Sequence, residues 1–192
     1  RIGFNVKVLL TGGSGFLGSK LLIELNNNVE EIIAPVRSIP NLPLKYVDYP
    51  IYKDLSTLVN EFSIFSGFDV FIHTAAVAHS SSSVPFYDEI NYELTISLAK
   101  AAVRANVKRF IFISSIGVNG LSKNIAFKES DIPNPTDLYS ISKYKAELGL
   151  REIAENSSME IVIIRPPLIY GKNAPGNFGT LLKVAKQNLP LP

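Results

Sequence analysis

The stretch NVKVLLTGGSGFLG, residues 5–18, decides the fold of this chain. It opens with a run from Asn5 to Thr11 that is apolar and too short for a helix, so we predict a buried strand. A glycine turn follows at once. From Phe16 to Asn26 apolar residues recur at helical spacings, which predicts a helix that packs back on the strand.

Strand-like and helix-like segments continue to alternate along the rest of the chain. We predict further strands at residues 31–37, 69–74, 109–115 and 160–165, and helices at residues 55–65, 85–106 and 136–156. Continuous apolar strands separated by helices are typical of a parallel sheet that helices cover on both faces. The predicted fold class is therefore α/β, a doubly wound parallel sheet, with ligands at the carboxyl ends of the strands.

The composition limits the possible partners and chemistry. The 192 residues are 46% hydrophobic and 19% charged, which fits one folded domain. There is no cysteine and there are two histidines, so we expect no metal site and no thiol nucleophile. A net charge of +2 without a Lys/Arg cluster argues against a nucleic-acid partner. No apolar run reaches the roughly 18 residues of a membrane helix, so we expect a cytoplasmic protein with no membrane partner.

The glycine turn is a candidate phosphate-binding site. Gly12, Gly15 and Gly18 stand three apart, while Gly13, Gly15 and Gly18 fit the G-x-G-x-x-G spacing, so the sequence leaves the register open. Glycines let the backbone approach a pyrophosphate, and the N–H groups and dipole of the helix favour its charge. We predict that the turn binds a dinucleotide; the alternative is a turn without a ligand.

The end of the second strand bears on the choice of cofactor. An NAD site of this kind has an acidic residue there, but this chain has Arg37. Arg37 is either a contact to a 2′-phosphate, which makes NADP at least as good a candidate as NAD, or a solvated charge. Asp54 and Leu55 either border an adenine pocket, or Asp54 simply begins the next helix. The sequence leaves both choices open.

Tyr139 and Lys143 form a candidate acid–base pair. They lie one helical turn apart, on the same face of a predicted helix. A lysine in that position stabilises a phenolate and lowers the pKa of the phenol, so the tyrosine can exchange a proton with a carbinol or carbonyl. Tyr49 and Lys53 have the same spacing, but Pro50 between them disfavours a helix.

A serine at a strand end completes this candidate site. Ser115 lies at the carboxyl end of the strand predicted at residues 109–115, where ligands are expected, and its hydroxyl can bind a substrate oxygen. Ser114 is the alternative donor, and either serine could instead satisfy local backbone groups. The two histidines, His73 and His79, are expected to have structural roles.

Several motifs along the chain resemble those of one enzyme family. They are TGGSGFLG at residues 11–18, HTAA at residues 73–76, Asn91, SSIGVNG at residues 114–120, YSISK at residues 139–143 and RPPLIYG at residues 165–171. Together they look like the extended short-chain dehydrogenases, and specifically the NAD-dependent epimerase/dehydratase group that acts on nucleotide sugars. The resemblance spans about residues 5–171, and its motifs follow one another in the same order as in the family.

The resemblance implies a role for each of these residues. Tyr139 is the acid–base residue, Lys143 holds the nicotinamide ribose, and Ser115, three residues before Val118, is the catalytic serine. For the cofactor, the resemblance implies that Gly12, Gly15 and Gly18 form the pyrophosphate turn, that Ala75 and Ala76 flank the dinucleotide and that Pro166 lies near the nicotinamide. The full predicted cofactor-binding set is Gly12, Gly15, Phe16, Leu17, Gly18, Arg37, Asp54, Leu55, Ala75, Ala76, Asn91, Tyr139, Lys143 and Pro166. Arg165 is expected to anchor a strand end through loop carbonyls.

The resemblance also implies a domain division. We expect residues 1–171 to form the NAD(P)-binding Rossmann-like domain and residues 172–192 to begin a substrate-binding region. Most of that region is missing, so we expect the chain to be a fragment. Sugar dehydratases have Asp-Glu where this chain has Ile116-Gly117, which argues against dehydration. Asn119 replaces a tyrosine that relatives often carry, which is expected to reshape the sugar pocket.

Three functions are compatible with these residues. The first is an NAD(P)-dependent nucleotide-sugar epimerase or 4-ketoreductase, acting on a UDP-linked sugar by hydride transfer. The second is an NADP-dependent reductase of a small non-nucleotide carbonyl of flavonoid or steroid type. The third is a non-catalytic nucleotide-binding module.

The resemblance also implies a homodimer. Members of the family commonly pack two helices, predicted here at residues 85–106 and 136–156, against the same two helices of a second copy.

Overall fold

Six parallel strands form one sheet in the protein. The computed structural model describes residues 4–78, 84–121, 125–172, 174 and 184–185, and His79 lies outside them. The strands are β1 (Phe4–Thr11), β2 (Val29–Ile33), β3 (Val47–Asp48), β4 (Val70–His73), β5 (Arg109–Ile113) and β6 (Glu160–Ile164). Their order across the sheet is β3-β2-β1-β4-β5-β6. The order reverses direction between β1 and β4, so the predicted doubly wound sheet is confirmed.

The helices connect these strands across both faces. They are α1 (Phe16–Leu25), α2 (Phe62–Phe65), α3 (Val84–Tyr87), α4 (Leu94–Arg104) and α5 (Leu138–Glu155). Two 3₁₀ helices lie at Leu55–Asn60 and Ile116–Asn119, and a π-helical segment, Asp88–Glu93, joins α3 to α4. The π-helical segment is a local widening of one long helix, a feature that often lies near functional sites.

Three elements differ from the sequence prediction. The second strand ends at Ile33. Beyond it the N–H of Ala34 still donates to the carbonyl of Asp48 and Val36 forms an isolated bridge to Ile51, but Pro35 between them cannot donate to a ladder. The two-residue strand β3 was not predicted. The helix predicted at residues 55–65 is divided at Glu61, whose backbone leaves the helical region (φ −100°, ψ 79°).

Apolar side chains cover both faces of the sheet. On one face Val8, Leu10 and Ile32 pack against Leu22 of α1. On the other face a larger cluster is built around Phe71 of β4 and Phe110 of β5, whose ring centroids lie 4.8 Å apart, edge to face. Burial on both faces fixes the strands relative to α1, α4 and α5, and therefore fixes the edge at which the strands end.

His73 ties the ends of two central strands to α4. Its Nδ1 lies 2.6 Å from Thr11 Oγ1 and its Nε2 lies 3.0 Å from Thr95 Oγ1. Thr95 gives its own proton to the carbonyl oxygen of Asn91, so its hydroxyl accepts from Nε2–H of His73, and Nδ1 accepts from Thr11. This neutral tautomer satisfies both ring nitrogens, which supports the expected structural role.

The buried His73 is expected to make the protein sensitive to acid. Burial lowers the pKa of His73 to about 3, so between the ordinary pKa of 6.5 and that value the unfolded chain binds a proton that the folded protein does not. The free energy of unfolding should fall by about 2 kcal/mol between pH 7 and pH 5 through this residue alone. Urea unfolding of wild type and His73→Gln at pH 7 and pH 5 measures this; an equal drop in both would contradict it.

Candidate active site

A cavity of about 840 Å³ lies at the carboxyl ends of the central strands. It brings together most of the residues that the sequence singled out. Those lining it are Gly12, Gly15, Phe16, Leu17, Gly18, Ala76, Ser115, Tyr139, Lys143 and Pro166. The glycine turn and the tyrosine–lysine pair, more than a hundred residues apart in the chain, thus face one cavity.

The turn between β1 and α1 uses the register Gly12, Gly15 and Gly18. Gly12 has a positive φ of 80°, and a Cβ on it would lie 2.6 Å from the backbone nitrogen of Ala75. A Cβ on Gly18 would lie 2.7 Å from the carbonyl carbon of Gly12. Gly13, in contrast, points toward Leu22 and the core. The cavity side of the turn is therefore bare backbone at a helix N-terminus, which fits a pyrophosphate.

The two candidate serines have different partners. Both serines line the cavity, but Ser114 is buried and its hydroxyl donates to Oε1 of Glu147 at 2.6 Å. The hydroxyl oxygen of Ser115 instead accepts from the backbone N–H of Gly117 at 3.1 Å. Because Ser115 uses its oxygen as an acceptor, its proton remains to be donated, which favours Ser115 as the substrate-binding hydroxyl.

The start of α5 holds Tyr139 beside the serine loop. Asp137 caps the helix, accepting from the backbone N–H of Ser140 at 2.9 Å and from its hydroxyl at 2.7 Å. Ser140 in turn packs so tightly on Gly117 that a Cβ there would collide with its hydroxyl oxygen. This contact fixes the first turn of α5, which carries Tyr139, against the short 3₁₀ helix that follows Ser115.

Burial dominates the electrostatics of the tyrosine–lysine pair. It raises the pKa of Tyr139 to about 12, with smaller contributions from Asp137 and Tyr87. Burial also lowers the pKa of Lys143 to about 7, and the ammonium lies 4.3 Å from the centroid of the Phe112 ring. The expectation that the lysine lowers the pKa of the phenol is therefore wrong for the protein alone, since desolvation outweighs a lysine that is itself only partly charged near neutral pH.

Asn91 lies behind the cavity rather than in its lining. Its side chain accepts from the backbone N–H of Val77 at 2.9 Å and donates to the carbonyl of Val77 at 3.0 Å and to Ser142 Oγ at 3.0 Å. These bonds clamp the loop after β4 to α5. The structure thus places Asn91 as a support for Ala75 and Ala76, and its amide is fully used within the protein.

The predicted adenine-side residues lie apart from the cavity. Arg37 is exposed, and Asp54 caps the 3₁₀ helix by accepting from the backbone N–H of Ser56 at 2.8 Å. That hydrogen bond lowers the pKa of Asp54 and agrees with the helix-start interpretation. Contacts of Arg37, Asp54 and Leu55 with a cofactor stay predictions.

Sequence reasoning missed Thr74 and the network around Arg165. Thr74 lines the cavity, and its hydroxyl donates to the carbonyl of Thr11 at 2.8 Å, beside Gly12. Arg165 binds the carboxylate of Glu147 and the side chain of Asn119 rather than the expected loop carbonyls. A polar residue at the carboxyl end of the strand predicted at residues 69–74 was the available signal for Thr74.

Neither a metal-binding cluster nor a membrane-spanning helix occurs within the described ranges. They contain no group of three His, Cys, Asp or Glu residues that could hold a metal ion. Among the helices of those same ranges, none is both long and apolar enough to span a bilayer.

The protein has a doubly wound sheet whose glycine turn faces one cavity together with a serine, a tyrosine and a lysine. This combination defines a nicotinamide-dinucleotide-binding domain of the short-chain dehydrogenase class. A family model described as Epimerase, the NAD dependent epimerase/dehydratase family, matches residues 8–187. The chain belongs to this family. This confirms the resemblance noted from its motifs. It also confirms the prediction that the family's cofactor is a nicotinamide dinucleotide.

Three similar proteins are informative. The UDP-glucose 4-epimerase of Vibrio cholerae is 36% identical over 96% of this chain and 58% of its own length. The N-acetyl-alpha-D-glucosaminyl-diphospho-ditrans,octacis-undecaprenol 4-epimerase of Escherichia coli O157:H7 is 33% identical over 93% of this chain and 54% of its own length. A crystal structure of UDP-glucuronic acid 4-epimerase from Bacillus cereus in complex with NAD is 26% identical, with a TM-score of 0.80 over 97% of this chain and 65% of that one. The chain thus spans little more than half of these curated relatives.

Proposed function

We propose that the full-length protein is an NAD-dependent 4-epimerase of a UDP-linked sugar. The observation that carries the proposal is the single cavity in which the bare glycine turn meets Ser115, Tyr139 and Lys143. Two relatives more than 30% identical are 4-epimerases, which supports this assignment over the other family activities. Fold alone would not support it, because this fold carries many chemistries.

The residues of this chain divide the work as follows. Tyr139 acts as a phenolate, which takes the proton from the sugar hydroxyl during oxidation and returns it during reduction. Because burial raises the pKa of this phenol to about 12, Lys143 and the bound dinucleotide would have to supply the positive charge that stabilises the phenolate. Ser115 donates a hydrogen bond to the same sugar oxygen, and Lys143 supplies positive charge and donors for the cofactor ribose. The dinucleotide, held at its pyrophosphate by the turn of Gly12 and Gly18, supplies the acceptor and donor of hydride when bound.

Two observations refine the proposal. Arg37 is exposed and outside the cavity, and the similar Bacillus cereus enzyme holds NAD, so we favour NAD over NADP. At Gly117 a side chain would collide with Ser140, so the acidic residue that sugar dehydratases carry there has no room. Oxidation and reduction at one carbon, without elimination of water, is therefore the reaction that this site supports best.

A homodimer is part of the same proposal. Leu148 on α5 is half exposed, and α4 lies beside α5, so an apolar side chain of this helix pair points outward. Packing of this helix pair against the same pair of a second copy follows the family habit noted from the sequence.

The test uses the full-length protein with UDP-glucose, UDP-N-acetylglucosamine or UDP-glucuronic acid and a trace of NAD. We expect proton NMR to show conversion of at least one substrate to its C4 epimer, with no net change in absorbance at 340 nm. Stoichiometric consumption of NADH on a keto-sugar would instead identify a 4-ketoreductase. Conversion of none of these sugars, with reduction of steroid or flavonoid carbonyls, would overturn the proposal.

A further inference from the structure

A buried ion pair lies directly behind the candidate active site. Glu147 of α5 is fully buried, and its Oε1 accepts from Ser114 Oγ at 2.6 Å and from Arg165 Nε at 2.9 Å. Its Oε2 accepts from Arg165 Nη2 at 2.5 Å. Nη1 of the same arginine donates to Asn119 Oδ1 at 3.1 Å. This bidentate, charge-assisted pair has no part in the chemistry assigned above.

Glu147 connects the three elements that carry the site. Its two partners stand at the ends of β5 and β6 and directly precede Ser115 and Pro166 in the chain. On its own helix, Glu147 follows Lys143 by one turn, so both side chains lie on the same buried face of α5. Two backbone bonds join the same strand ends, from Ser114 N–H to the carbonyl of Ile164 and from Ile116 N–H to that of Pro166.

The ionisable groups near Lys143 come from several elements. His73 of β4 is buried and neutral, Tyr139 precedes Lys143 by one turn of α5, and Tyr87 and Asp137 line the same cavity. Burial disfavours a charged Lys143, whereas the carboxylate of Glu147 favours it. Without Glu147, the buried lysine would lose this carboxylate, and the partly buried Arg165 would lose its partner.

We infer that Glu147 is a positioning residue that increases the protonated fraction of Lys143 near neutral pH and holds the ends of β5 and β6 in register with α5. The role of Lys143 toward the cofactor rests on the proposed function, but the effect of Glu147 on the charge of Lys143 does not. Arg165 and Ser114 hold the carboxylate in place, and Arg165 limits how much of its charge reaches Lys143.

The test is the titration of the Lys143 ammonium in the full-length protein without cofactor, followed by NMR with ¹⁵N-labelled lysine. The signal is assigned by its loss in Lys143→Arg. We expect Glu147→Gln to lower the titration midpoint by about one pH unit or more, and Arg165→Gln to raise it. Shifts of opposite sign would not follow from a general loosening of the core. Equal midpoints in both variants and wild type would overturn the inference.

Two further variants complete the experiment. Glu152→Gln removes the same charge from an exposed turn of α5, and its midpoint should equal that of wild type. If Glu147→Gln does not fold, Glu147→Gln combined with Arg165→Gln leaves no unpaired charge of the pair, and its midpoint should lie below that of Arg165→Gln. A double variant that titrates like Arg165→Gln would contradict the inference. Absence of epimerase activity would leave these titrations unaffected, so the two proposals fail separately.

Discussion

Tyr139→Phe in the full-length protein is expected to lower kcat about 10²- to 10⁴-fold, because it removes the only group proposed to move the sugar proton and keeps the ring. Tyr139 lines the cavity from the first turn of α5, whose cap by Asp137 does not involve the phenol. The dissociation constant of NAD and the free energy of unfolding should therefore change little, the latter by less than about 1 kcal/mol. Steady-state epimerisation, NAD titration and urea unfolding measure the three quantities.

The chain carries its own control for this substitution. Tyr49 precedes Lys53 with the same spacing, but it lies after β3, where its phenol oxygen accepts from the backbone N–H of Leu44 at 3.3 Å. Tyr49→Phe should leave kcat within about twofold of wild type, since nothing connects it to the cavity. A Tyr139→Phe enzyme that keeps more than a tenth of wild-type kcat would remove this residue from the proposed mechanism.

Much of the fold was predictable because its signals are local. Each strand is a short apolar run, and the turn after β1 is marked by glycines that the close approach of Thr74 and Ala75 requires. Strand β3 has no such signal. Its two residues, Val47 and Asp48, are strand only because they lie beside Ile32 and Ile33, a contact that the sequence does not display.

The second layer of the candidate site was hidden for a related reason. In the sequence, Glu147 stands four residues after Lys143 on a helix, a spacing typical of an exposed ion pair. The structure buries both side chains, and Arg165 reaches Glu147 from the end of β6 and pairs with its carboxylate. The same burial reverses the expected effect on Tyr139, whose pKa rises to about 12. The sequence spacing thus predicted that Tyr139 and Lys143 lie together, but their pKa values depend on burial, which the sequence does not display.

Gly18→Ala is expected to abolish measurable NAD binding, or to weaken it by at least about a hundredfold. Gly18 lies in the first turns of α1, where an added Cβ would collide with the carbonyl oxygen of Gly12 and lie 2.9 Å from Thr74 Oγ1. Its nearest obstacle is backbone, so relief requires the turn itself to move. That movement displaces the bare N–H groups that are proposed to hold the pyrophosphate. Calorimetric titration of NAD into the full-length protein measures the loss.

Gly149→Ala is the matched control, because Gly149 also lies inside a helix. There the added Cβ would first meet the terminal Cδ1 of Ile96 at 2.6 Å, the movable end of a flexible side chain. Alanine also favours a helix over glycine by about 1 kcal/mol, which offsets the repacking. Gly149→Ala should therefore bind NAD like wild type and unfold at a similar urea concentration. If Gly18→Ala bound NAD as tightly as Gly149→Ala does, the glycine turn could not be the pyrophosphate site, whatever the effect on stability.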